Sequence, residues 1–92
     1  MKRVHVLIQG VVQGVFFRSY IAELASELNI RGWVRNIHNH VEAVFEGKEE
    51  DVNKILDFCR KGPVGAQVKN LGVNEEKYAG EFTNFEIRYN EY

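Results

Sequence analysis

The stretch VHVLIQGVVQGVFFR, Val4 to Arg18, changes its hydrophobic period partway along. Val4, Val6 and Ile8 alternate with His5, Leu7 and Gln9, the two-residue period of a strand. Leu7 makes the second face apolar too, as expected of a strand central in its sheet. From Phe17 the period becomes helical, with Phe17, Ile21, Leu24 and Leu28 on one stripe and Glu23 and Glu27 on the outside. Between them, Gly10 to Phe16 hold two glycines four apart and one polar side chain, Gln13. Strand, glycine loop and helix form the opening unit.

The rest of the chain extends that unit. Asn29 tolerates the left-handed conformation that ends a helix, and Ile30 is placed to fold back on the last turn. Gly32–His38 and Val41–Glu46 alternate around a short polar break, Asn39-His40, and read as a β-hairpin in which His40 would have to accept a positive φ. Glu49, Glu50 and Asp51 open a second helix with an inward stripe of Val52, Ile55, Leu56 and Cys59. Arg60-Lys61 and then Gly62-Pro63 end it. Ala66, Val68, Leu71 and Val73 change phase once, which predicts a strand with a bulge near Lys69-Asn70. Glu75 to Glu81 read as a polar loop, and Phe85, Ile87 and Tyr89 as a final strand. The order is β-α-β-β-α-β: an α+β, ferredoxin-like sandwich whose four-stranded antiparallel sheet, with a possible fifth short strand, carries both helices on one face. That topology serves many activities, so function has to be read from a site.

Ninety-two residues suit one domain spanning 1–92. Twelve Lys and Arg against thirteen Asp and Glu give a net charge of −1, a poor match to a protein whose main partner is a nucleic acid. The basic start and apolar run imitate an export signal, but His5, Gln9, Gly10, Gln13 and Gly14 interrupt the run and no small-residue cleavage pattern follows. No membrane segment is expected. A single cysteine, Cys59, excludes an intrachain disulfide and fits the cytoplasm; its place on the second helix's stripe predicts a core residue.

A loop between strand end and helix start presents unpaired N–H groups at the positive end of the helix dipole. Glycine lets successive amides converge into a concave nest, and Arg18 adds a planar donor fork suited to phosphate oxygens. Gln13, Gly14, Val15, Phe16, Phe17 and Arg18 are therefore candidates for holding a phosphate-like dianion. The same residues also fit a plain strand-to-helix turn with Arg18 on the surface. The loop is not a Walker A motif, and no G-x-G-x-x-G, H-E-x-x-H, C-x-x-C or EF-hand pattern occurs, so no metal or cofactor is expected.

GVVQGVFFR followed, after a helix, by GWVRN closely resembles the signature pair of the acylphosphatase family. Gly62-Pro63 and the final F-x-I-x-Y strand occupy matching places. The resemblance covers essentially the whole chain. It implies hydrolysis of a carboxyl-phosphate anhydride, a small-molecule acyl phosphate, to a carboxylate and inorganic phosphate. Arg18 is then the phosphate-binding arginine and Asn36 the residue that orients the attacking water. The backbone amides from Gln13 to Arg18 take the other phosphoryl oxygens, and a monomer is the default. Two features depart from the family: the hairpin turn is not Asp-Gly, and Asn90-Glu91-Tyr92 extend beyond the closing aromatic.

Other chemistry-bearing residues have simpler readings. His5, His38 and His40 invite a metal or acid/base reading, but His38 and His40 flank a turn and lack a third ligand at a recognisable spacing. Trp33, Phe45 and Phe85 sit at alternating strand positions and are expected in the core rather than on a base-stacking surface. Arg35 faces away from Asn36. Gln13 is able to orient the loop through its side chain. The alternative in another class is a non-catalytic phosphate-, ligand- or RNA-binding ferredoxin-like module. The chain lacks the RNA-recognition segment and basic surplus of the RNA-binding kind.

Overall fold

The computed structural model of the protein describes residues 1–89. The elements run β1 (Lys2–Val11), α1 (Phe17–Glu27), β2 (Arg31–Ile37), β3 (His40–Gly47), α2 (Glu49–Lys61), β4 (Gln67–Glu76) and β5 (Phe85–Arg88). The sheet order is β4-β1-β3-β2-β5. The first four strands pair antiparallel in the ferredoxin-like way. The short fifth strand is present and pairs parallel with β2, Val34 opposite Ile87, so the sheet is mixed. Residues 77–84 carry the chain from the β4 edge to the β5 edge along one end of the sheet, since Glu76, Arg3, Glu46 and Arg31 stand in register there and Phe85 lies opposite Gly32. The expected strand at Phe85–Tyr89 thus belongs to the far edge. The Asn90–Tyr92 tail lies outside the described residues.

One face of the sheet meets both helices. Val4, Val6 and Ile8 of β1, Val34 of β2 and Val41, Ala43 and Phe45 of β3 are all fully buried. They form one cluster with Phe17, Ile21 and Ala25 of α1 and Val52, Ile55 and Cys59 of α2. Leu24 and Leu28, on the edge of the α1 stripe, pack against that core while partly exposed. Each helix ends as its sequence dictates. Asn29 adopts φ 56°, the Ile30 amide donates to Ala25 O at 2.8 Å and the Asn29 amide to Ser26 O at 3.3 Å, a complete Schellman motif. α2 begins with three acids, ends on Arg60-Lys61 and stops at Gly62, φ 75°.

Three details differ from expectation. The hairpin pairs Ile37 with His40, so its two-residue loop is His38-Asn39 rather than Asn39-His40, and His38 rather than His40 carries the positive φ, 53°. The backbone carbonyls on either side of Asn39 accept hydrogen bonds from the Gln13 side chain, and that clasp offsets the cost of a left-handed histidine. β4 continues through Glu76, where a polar loop was expected. Arg3 is the reason: its Nε donates to Glu76 at 2.9 Å, Nη1 reaches the buried Glu46 at 3.1 Å, and Glu81 also pairs with it. Finally, Trp33 is not core. It lies half-buried on the helix-free face, with the guanidinium carbons of Arg35 and Arg88 at 5.3 and 4.7 Å from its ring. Phe45 is core as expected, stacked at 5.8 Å on Phe85. The bulge occurs as predicted: Gln9 faces Asn70 and Gly10 faces Val68, leaving Lys69 extra.

Gly32 shows how tightly β2 is set. At φ 138° a Cβ there would stand 1.9 Å from Val44 O, inside the sheet itself. Gly32→Ala is expected to cost roughly 3 kcal/mol, from backbone strain plus overpacking. Equilibrium urea unfolding should show a lowered midpoint; an unchanged midpoint would contradict the pairing of Gly32 with Phe45 across β2 and β3.

On the same helix-free face, Glu42 accepts from His5 Nε2 and Arg35 Nε, each at 2.6 Å. Burial pushes the Glu42 carboxyl upward, but the hydrogen bonds from His5 and Arg35 outweigh it and hold the carboxyl below its ordinary value of 4.5. A carboxyl so depressed stabilises the fold above that value and loses the contribution as pH falls through the folded-state pKa. Below pH 4.5 the midpoint should therefore fall more steeply in the parent chain than in Glu42→Gln; parallel curves would show that this network contributes nothing.

Candidate active site

The cleft lies where β1 ends, α1 begins and β2 approaches its turn. Val12, 1% exposed, and Phe17, 2% exposed, anchor the loop between them into the core. Within that span φ is positive at Gly14, 74°, and at Phe16, 61°, but not at Val15. Such alternation curls the backbone and turns successive amides toward one side. The Phe16 conformation carries a strain of about 1 to 3 kcal/mol, and the residue is 77% exposed, so packing of the side chain does not account for it.

Among the described residues, the amides of Gln13, Gly14, Val15 and Phe16 donate to no protein acceptor. α1 has no side-chain cap and no acid in its first turn, whereas the first turn of α2 holds Glu49, Glu50 and Asp51. The positive end of α1 is thus left uncompensated beside the free amides, the electrostatic condition for binding an anion.

Gln13, Gly14, Phe16, Phe17 and Arg18 line one cleft of about 380 Å³ together with Asn36. The structure therefore brings five of the six loop candidates and the distant asparagine to one place. Val15 is the exception: its side chain packs against the core instead. Asn36 pairs with Val41 in the β2–β3 register, on the helix side of the sheet, and its buried Oδ1 has no hydrogen-bond donor among the described residues. A buried carbonyl oxygen without a donor is costly, and Asn36 carries one beside the cleft it lines. Arg35, one residue earlier, points to the other face, where it is bonded to Glu42.

Two further residues, neither given a site role by the sequence pattern, stand next to these. Ser19 completes the wall of the cleft, and Tyr89 lies against Arg18, with the guanidinium carbon 5.0 Å from the ring centre. The helical position of Ser19, one residue after Arg18, was the available signal for the first. Tyr89 meets Arg18 only through the placement of β5, and nothing local to either residue announces it. The remaining candidates sit elsewhere. Cys59 is buried in α2, where desolvation pushes its thiol up to about 12 against a small opposing effect of Arg60. His5 is engaged by Glu42, His38 is exposed on the turn, and His40 is half-buried beside it. Among the described residues no group of three or more His, Cys, Asp or Glu side chains is arranged to hold a metal ion, and no helix is long and apolar enough to cross a membrane.

A ferredoxin-like sandwich that brings a glycine loop with free amides, an arginine and an asparagine to one cleft defines a narrow class of α+β protein. The acylphosphatase family profile matches residues 4–87. The acylphosphatase of Syntrophus aciditrophicus (strain SB) is 53% identical over 92 residues, covering 99% of this chain and 96% of that one. That of Aeropyrum pernix is 49% identical over 89 residues, covering 95% and 88%. The crystal structure of acylphosphatase from Bacillus subtilis superposes with a TM-score of 0.91 at 28% identity, over 97% of this chain and all of that one. The chain belongs to the acylphosphatase family.

Proposed function

We propose that this chain hydrolyses acyl phosphates to a carboxylate and inorganic phosphate, with Arg18 and the Gln13–Arg18 amides binding the phosphoryl group and Asn36 orienting water for attack on phosphorus. The observation that carries this reading is that Asn36, whose buried Oδ1 has no hydrogen-bond donor among the described residues, lines the same cleft as Arg18 and the loop with free amides. Family membership supports the reaction class.

The division of labour follows from the substrate. An acyl phosphate has a carboxylate as leaving group, so neither a covalent intermediate nor strong protonation of the departing oxygen is needed. Positioning and charge stabilisation suffice. The guanidinium fork spans two phosphoryl oxygens, and the amides of the nest with the α1 dipole take up charge on the third. Asn36 Oδ1 accepts a hydrogen bond from water and fixes its lone pair in line with the bond that breaks. A carboxamide is far too weak a base to remove the proton. It passes to a phosphoryl oxygen of the substrate, so water's oxygen joins phosphorus, the phosphorus–carboxylate bond breaks, and the carboxylate leaves without accepting a proton.

The same reading makes the protein a monomer of the cytosol that acts on a small molecule; its one cysteine, free and buried, fits a reducing compartment. The test is release of inorganic phosphate from benzoyl phosphate and acetyl phosphate by the purified chain in the presence of a chelator. Turnover that is insensitive to the chelator is expected. Tight phosphate binding without turnover would instead assign the cleft to a binding module.

A further inference from the structure

We infer that Gln13 is a positioning residue that sets Asn36 against the phosphate-binding loop. This inference rests on the function proposed above and adds a coupling between its two halves. The loop and the asparagine come from different elements: one follows β1, the other lies one residue before the end of β2. The sheet does not join them directly, because β3 lies between β1 and β2. Gln13 supplies the missing link. Its Nε2 donates to His38 O at 2.8 Å and to His40 O at 3.0 Å, so both amide protons are used on the two carbonyls that flank Asn39 in the hairpin turn.

The clasp explains a second observation. His38 occupies φ 53°, a region that histidine enters at a cost, in a loop with no glycine to take it. Fixing the carbonyls of His38 and His40 holds that conformation and, through Ile37, the end of β2 on which Asn36 stands. A hairpin free to twist would carry Asn36 Oδ1 away from the in-line position, and displacements of about 1 Å are enough to cost about a hundredfold in rate. Gln13 itself lines the cleft, but both of its donor hydrogens are committed to the turn, which leaves its backbone amide as the group available to phosphate.

The test uses Gln13→Met, which keeps the length of the side chain and removes both donors, and Gln13→Ala as a second variant. Each is made in the parent chain and in Asn36→Ala, and benzoyl phosphate turnover in the parent is established first. Failure of that turnover sinks the proposed function; every later result bears on Gln13 alone. In the parent background, kcat is expected to fall roughly tenfold with KM within about threefold, as for loss of a transition-state geometry rather than of binding. In the Asn36→Ala background the same change should alter kcat by less than about twofold, because the residue it positions is gone. A side chain that merely stabilises the fold would give equal losses in both backgrounds, and that result, or unchanged kcat in the parent background, overturns the inference. Nuclear magnetic resonance gives a readout free of turnover. The Asn36 side-chain amide signals should shift or broaden in Gln13→Met while core methyl signals of Ile8 and Ile55 stay in place; an unmoved Asn36 signal overturns the inference as well.

Discussion

Asn36→Ala is expected to lower kcat by about a hundredfold or more while KM changes by no more than about threefold. The reason lies in when the side chain acts. Asn36 lines the cleft, and its buried Oδ1 has no hydrogen-bond donor among the described residues. It is proposed to hold water, not phosphate, so substrate binding survives its removal and the in-line geometry does not. Loss of one preorganised polar group at a reacting centre costs about 2.7 to 4 kcal/mol in the barrier, which is a factor of roughly a hundred to a thousand. Asn36→Asp is informative beside it. The carboxylate still accepts from water, but it brings negative charge toward a phosphoryl dianion, so KM should rise in that variant alone. Steady-state kinetics with benzoyl phosphate checks both, and an Asn36→Ala variant with full kcat would remove water orientation from the mechanism.

Arg18→Ala is expected to damage both parameters. A charge-assisted hydrogen bond is worth about 1.5 to 3 kcal/mol, and a bidentate fork makes two of them in the ground state. KM should therefore rise at least about tenfold, the inhibition constant for inorganic phosphate should rise with it, and kcat should fall by roughly a hundredfold as the developing charge loses its partner. Arg18→Lys should recover part of the phosphate affinity and little of kcat, since a single ammonium cannot bridge two oxygens at fixed spacing. The Tyr89 ring beneath the guanidinium restricts the rotamers Arg18 samples, which adds to what lysine cannot replace. Unchanged phosphate inhibition in Arg18→Ala would mean that the nest and the α1 dipole bind the anion unaided.

What can be read from the sequence is local or periodic. The strand and helix around the glycine loop, the Asn29-Ile30 helix stop and the Lys69 bulge each follow from a few adjacent residues. Arg18 and Asn36 are legible as candidates through the resemblance of two motifs to a family signature, and the fold brings both to one cleft. What escapes is long-range. The parallel direction of β5 depends on where residues 77–84 cross the sheet, and that path is fixed at its start by Glu76 and Glu81 meeting Arg3, their partner near the other end of the chain. The contact of Tyr89 with Arg18 inherits the same dependence. Turn propensity misplaces the hairpin loop by one residue because it weighs Asn39 and His40 alone, whereas the loop is held by Gln13 from the other side of α1. Strand alternation puts Trp33 in the core because it separates two faces without revealing which one the helices cover.

The most direct test of the central claim is the fate of oxygen in hydrolysis of benzoyl phosphate in water enriched in oxygen-18. Attack on phosphorus by a water held at Asn36 predicts one labelled oxygen in the inorganic phosphate and none in the benzoate, since the bond broken lies between phosphorus and the carboxylate oxygen. Label in the benzoate, with unlabelled phosphate, would mean attack at the carbonyl carbon and would contradict the roles of Asn36, of Arg18 and of the loop that joins them.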